Sequence, residues 1–181
     1  DGRGVEALIA AGQPSDDDST YTSLWTAAQI GAVESFEALF ALLPIEDLRG
    51  HDDATLLMVA AESERDSAEK VQFLLDLGAD VTAVDGYGGT PLLYATRNAN
   101  ARAAELLAQA GSDVNVVDVP YGPGKATSER NPAFGRTPLL QLCSRSAVRR
   151  DAEPCAPAVA ALLEHGAKVD AVGPHGRIAA C

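Results

Sequence analysis

Apolar positions along the chain return at helical spacing, in short bursts closed by small or turn-forming residues. Four bursts share one order: Thr, a small, Pro or Leu residue, Leu, a large residue, then a small pair. They read Thr22-Ser23-Leu24-Trp25-Thr26-Ala27-Ala28, Thr55-Leu56-Leu57-Met58-Val59-Ala60-Ala61, Thr90-Pro91-Leu92-Leu93-Tyr94-Ala95-Thr96 and Thr137-Pro138-Leu139-Leu140-Gln141-Leu142-Cys143. Their threonines are 33, 35 and 47 residues apart. A second apolar face follows each of the last three and closes on glycine: Val71 to Gly78, Ala104 to Gly111 and Val159 to Gly166. The pattern predicts repeated helix pairs. Each Thr caps a first helix, with Pro91 and Pro138 at the first helical position. The small pairs let helices approach closely, the Leu-Leu pair of each second helix is expected between neighbouring units, and Gly78, Gly111 and Gly166 suit left-handed helix ends.

The Thr-Pro-Leu opening, followed at a fixed offset by Leu-Leu-x-x-Gly-Ala-Asp, resembles the ankyrin repeat, whose unit is about 33 residues. The resemblance covers nearly the whole chain. It implies an all-α solenoid of stacked helix-turn-helix units with projecting β-hairpin-like loops, about four full repeats plus partial ones at both ends. The expected division is a partial repeat over 1–16, repeats at 17–49, 50–84, 85–117 and 118–172, and a partial repeat over 173–181. Val5 to Gly12 matches a second helix alone, and Gly176 to Cys181 the start of a further first helix, so sequence beyond both ends is expected. Each unit buries its apolar face only against its neighbours.

Departures from the family pattern are informative. The family's His after Leu is replaced by Trp25, Met58, Leu93 and Leu140, so the contacts it would make are expected to be apolar. Trp25, the single tryptophan, reads as a core filler or a partner anchor. Residues 43–50 lack the Gly-Ala-Asp signature. The last threonine spacing exceeds the unit by 14 residues, which fall between Asp118 and Gly135, and a second excess of 8 lies around Arg145 to Pro157. Loops enlarged in this way are often functional.

The formal net charge is −12, split as −15 over residues 1–118 and +3 over 119–181. Such an acidic surface argues against nucleic acid, and no apolar run reaches the ~20 residues that cross a bilayer. Hydrophobic residues make up 46% and aromatics 5%, so the core is built mainly from Ala, Leu and Val. Asp1 to Gly4 has no signal-peptide layout, which points to the cytoplasm, or to the periplasm or outside if a leader has been removed. Arginine outnumbers lysine 11 to 3 in an Ala-rich chain, which suggests a GC-rich, bacterial genome. Of the three cysteines, Cys143 and Cys155 are the better candidates for one bridge, against small buried hydrophobes as the alternative.

Chemistry finds no foothold. Tyr121 to Thr127 has Val119 and Ala126 where a phosphate loop needs Gly and Ser or Thr. Cys143, Cys155, His165, His175 and Cys181 lack the close spacing that nucleates a metal site. Catalytic residues, metal and cofactor are therefore expected to be none. Asp113-Val114-Asn115 is similar to an asparaginyl-hydroxylase target, but also to the family's ordinary loop entry.

The resemblance implies a protein–protein interaction module that binds through its concave face, formed by loop tips and first helices. Mapped onto this chain, the contact positions are Asp18, Tyr21, His51, Asp52, Asp53, Glu62, Tyr87, Arg97, Arg136 and Arg145. The enlarged loop 119–134 adds Tyr121, Lys125, Arg130 and Phe134. Tyr and Arg are the usual interface anchors. The expected partner is a protein with a basic patch facing the acidic N-terminal two-thirds. The alternative is an inhibitor, such as an immunity protein occluding a bacterial toxin's active site with that loop.

Overall fold

The computed structural model describes residues 18–40, 50–64, 67–118, 136–146 and 155–170. They form α1 (Asp18–Ile30), α2 (Val33–Phe40), a 3-10 turn (His51–Asp53), α3 (Leu56–Glu62), α4 (Ser67–Asp76), α5 (Pro91–Arg97), α6 (Ala101–Gln109), α7 (Pro138–Ser146) and α8 (Ala156–Glu164). No strand occurs among the described residues, and the all-α solenoid holds. The first helices α1, α3, α5 and α7 stack in sequence order, and so do the second helices α2, α4, α6 and α8. Each first helix also packs on the second helix of its own unit. The main contacts are thus within a unit or between neighbours.

Local chemistry accounts for most helix limits. Thr55, Thr90 and Thr137 each accept the backbone N–H of the residue three further on, at 3.3–3.4 Å. Thr22 does not open its helix: α1 starts at Asp18. In repeat three Gly88-Gly89 precedes the threonine and Pro91 follows it, whereas Asp18 to Tyr21 and Ser23 contain no residue that would interrupt helix. Gly78, Gly111 and Gly166 take φ of 85°, 94° and 87°, the left-handed exits expected of them. At Met58 the expected contact is not purely apolar, because its Sδ accepts the Thr55 N–H at 3.3 Å. A thioether is a weak acceptor, yet it takes up an otherwise spare donor at the helix start.

Leu24, Leu57, Leu92 and Leu139 are buried, as are both members of every small pair. The Leu-Leu pairs are not buried as pairs. Leu74, Leu107 and Leu162 lie inside, while Leu75 and Leu106 are half-buried and Leu163 is 43% exposed. Adjacent helical positions are about 100° apart, so only one of them can face the neighbouring unit. Phe36, Phe40 and Phe73 form a tilted and edge-on triad with centroids 5.3–5.9 Å apart, joining α2 to α4. Trp25 is half-buried against the core, and its ring lies so close to Gly50 that a Cβ there would sit 2.8 Å from Cη2.

Between units, side chains of the loop after one first helix, and of the second helix that follows it, take up carbonyls left open at the end of the preceding first helix. Lys70 Nζ, wholly buried, donates to Ala28 O at 3.0 Å and to Ser63 Oγ at 2.9 Å, and Ser63 Oγ donates to Gln29 O. One unit on, Asn98 donates to Glu62 O and Asn100 to Ala61 O and Ser63 O, all at 2.7–2.8 Å. Asn115 bridges to Gly166 O and the Lys168 N–H at 3.0 Å each, so its side-chain amide is tied to the next repeat.

Of the two readings left open for Cys143 and Cys155, the bridge between them is not formed: Cys155 is a free thiol.

Candidate functional site

Two loops lie over the first helices and are held there by side chains. Asp85 closes the turn before α5: its Oδ1 accepts the N–H groups of Tyr87 and Gly89, and its Oδ2 accepts the Tyr94 hydroxyl at 2.6 Å. Only glycine fits at position 89, since a Cβ would stand 2.7 Å from Asp85 Oδ2. The Gly86 N–H reaches back to Asp52 O at 2.7 Å, joining this tip to the preceding one.

Asp118 plays the matching part before α7. It is 1% exposed and takes a two-pronged ion pair from Arg97 Nε and Nη2. Gln141 Nε2 donates to it at 2.7 Å, and the Thr96 hydroxyl donates to Gln141 Oε1 at 2.8 Å. Arg97 Cζ also lies 5.1 Å from the centre of the Tyr94 ring, within cation–π range. Burial pulls the Arg97 pKa down, but the bond and charge of Asp118, helped by Tyr94 and Asp85, outweigh it and hold it above the usual value. Burial raises the Tyr94 pKa, and the Asp85 hydrogen bond and charge raise it further. Arg136 completes the face, with Nη1 2.6 Å from Ser144 Oγ and its own carbonyl accepting the Asp118 N–H.

The expected contact positions divide accordingly. Asp52 and Asp53 are exposed at a tip, in left-handed conformations with φ of 59° and 60°. Glu62, Tyr87, Arg97 and Arg136 are half-buried on the same face. Arg97 is anchored from within rather than free to swing, its side chain 26% exposed. Asp18 and Tyr21 belong to α1 rather than to a loop tip, His51 to the 3-10 turn and Arg145 to α7. Tyr121, Lys125, Arg130 and Phe134 lie outside the described residues, as does the rest of 119–134. Thr96, Asp118 and Gln141 were not among the expected site residues. For Thr96 the signal is a polar residue in an apolar helix register, standing in a small pair where Ala28 and Ala61 stand elsewhere, and for Asp118 it is the 33-residue offset from Asp85. No group of three metal-binding side chains occurs among the described residues, and no described helix is long and apolar enough to cross a membrane.

Glu62 is the residue the fold serves least. Its side chain makes no hydrogen bond or ion pair with the described residues, and burial raises its pKa against the lowering charge of Arg97. A carboxyl whose folded pKa is raised adds stability below its unfolded pKa, and that contribution is lost as pH rises through the folded value. Glu62→Gln, a mimic of the neutral acid, is therefore expected to raise the melting temperature at pH 7. The gain should vanish below about pH 4, where both forms are neutral. Thermal melts of both proteins at the two pH values check this.

A family model described as "Ankyrin repeats (3 copies)" matches residues 24–118. The "Ankyrin repeat and LEM domain-containing protein 1 homolog" of Caenorhabditis elegans is 42% identical over 59 residues, 33% of this chain. The matched stretch spans only 8% of that relative's length.

Proposed function

The chain belongs to the ankyrin-repeat family, and from that premise we propose that it is a non-catalytic module that binds another protein through the face built by its loops and first helices. Ankyrin repeats generally mediate protein–protein interaction. The observation that carries the reading is the anchoring of Tyr94, Arg97 and Arg136 by Asp85, Asp118 and Ser144. Side chains fixed before binding lose less entropy on complex formation, and Tyr and Arg are the types that dominate interfaces. The acidic tips Asp52 and Asp53 would steer a partner bearing a basic patch.

A photo-crosslinking residue at Tyr87, on this face, and another at Gln72, exposed on α4, test the reading in host cells. A discrete protein adduct from position 87 and none from 72 is expected; the same adducts from both positions would overturn it. The inhibitor reading is narrower and rests on the enlarged loop. Under it, deleting residues 120–133 abolishes inhibition of the partner enzyme while the helical circular dichroism stays unchanged.

A further inference from the structure

The position seven residues after each repeat threonine forms a row along the first helices: Gln29, Glu62, Arg97 and Ser144. The row carries an ordered charge pattern. In the second repeat Glu62 offers a carboxylate that makes no hydrogen bond or ion-pair contact with the described residues, though the charge of Arg97 reaches it. In the third, Arg97 uses Nε and Nη2 on Asp118 and leaves Nη1 unbonded. In the fourth, Ser144 holds Arg136 through Nη1 alone, leaving its Nε and Nη2 edge open, and no described carboxylate neutralises that guanidinium. No buried side-chain nitrogen or oxygen among the described residues lacks a hydrogen bond. The open atoms of Glu62, Arg97 and Arg136 are therefore at the surface. Both arginines are orientated from behind, so each presents donors in a fixed direction, as two-pronged recognition of a carboxylate requires.

We propose that this face accepts a segment of the partner protein that places an acidic side chain between Arg97 and Arg136 and a basic side chain over Glu62. Neighbouring helices lie about 8–10 Å apart, so a site between Arg97 and Arg136 is about one and a half spacings, roughly 12–15 Å, from Glu62; an extended chain advances about 3.3 Å per residue, so the two charges stand about four residues apart. The proposal rests on the interaction-module reading and adds the chemistry of what is bound. The C-terminal part of the face thereby selects an anion, although the chain as a whole is acidic. Asp118 already offsets Arg97, so Arg136 supplies the uncompensated charge and Arg97 the directed donors.

The test is selection of a displayed library of random peptides on the wild-type protein, followed by binding measurements on variants whose circular dichroism is unchanged. Selected peptides are expected to share an acidic and a basic residue about four positions apart. Arg136→Ala and Glu62→Gln should each weaken them about tenfold, the worth of a charge-assisted hydrogen bond. Arg136→Lys, which keeps charge but not the fork, should lose less than Arg136→Ala, and Gln72→Ala, off this face, should leave binding unchanged. Binders without the charge pair, or binders indifferent to both Arg136 and Glu62, overturn this proposal while Tyr87→Ala still shows whether the face is used. A selection yielding no peptide sensitive to Tyr87→Ala, Arg136→Ala or Glu62→Gln overturns the interaction reading, and this proposal with it.

Discussion

Replacing Asp118 with alanine is expected to cost about 3 kcal/mol of unfolding free energy, because it strands a guanidinium and a buried amide that now share one carboxylate. Arg97 loses both prongs of its ion pair and Gln141 its acceptor. The damage should be local. Asp118 joins α5 to α7, so hydrogen exchange is expected to quicken in α7 and α8 and to change little in α3 and α4. In an Arg97→Ala background the same substitution should cost clearly less, since the stranded charge is gone. Denaturant unfolding of the two single variants and the double variant measures this coupling; equal costs in both backgrounds would show that the pair does not act as a unit.

The second large effect is expected at Lys70. Its ammonium is sealed between α1 and α4 and satisfies the Ala28 carbonyl and the Ser63 hydroxyl. Lys70→Met keeps the length of the side chain but removes the donor, so the carbonyl is left buried without it, a loss of about 1–3 kcal/mol. The first repeat has only one described neighbour, so α1 and α2 should unfold at lower denaturant than the rest. A fluorescence transition from Trp25, in α1, that precedes the circular-dichroism transition would report this separation. Coincident transitions at the wild-type midpoint would refute it.

These two substitutions mark where sequence stopped being a guide. The threonine caps at 55, 90 and 137 and the left-handed glycines at 78, 111 and 166 are local, and three or four neighbouring residues suffice to recognise them. Thr22 misled because a cap residue only opens a helix when something before it prevents helix, and here nothing does. The Leu-Leu pairs misled for a geometric reason: identical neighbours in sequence point in different directions. Lys70, Asp118 and Gln141 were out of reach in a different way. Their partners lie 42, 21 and 45 residues away; Asp118 does stand one 33-residue unit after Asp85, but the lengthened segment leaves it 19 residues before Thr137, where Asp85 is 5 before Thr90. The candidate face was legible as a row of positions, through the family resemblance, but not its internal anchoring. Which side chains are locked and which are open depends on contacts between repeats.

Packing that runs mainly from one unit to the next has a mechanical consequence. With no cross-brace between distant units among the described residues, a slight tilt at any single junction is passed on undiminished to everything beyond it, as along a lever. Tilts at successive junctions add, so each helix pair stays stiff while the row as a whole bends like a leaf spring. The distance between Gln29 at one end and Ser144 at the other is then a soft coordinate, whereas the spacing of Arg97 and Arg136 across one junction is a stiff one.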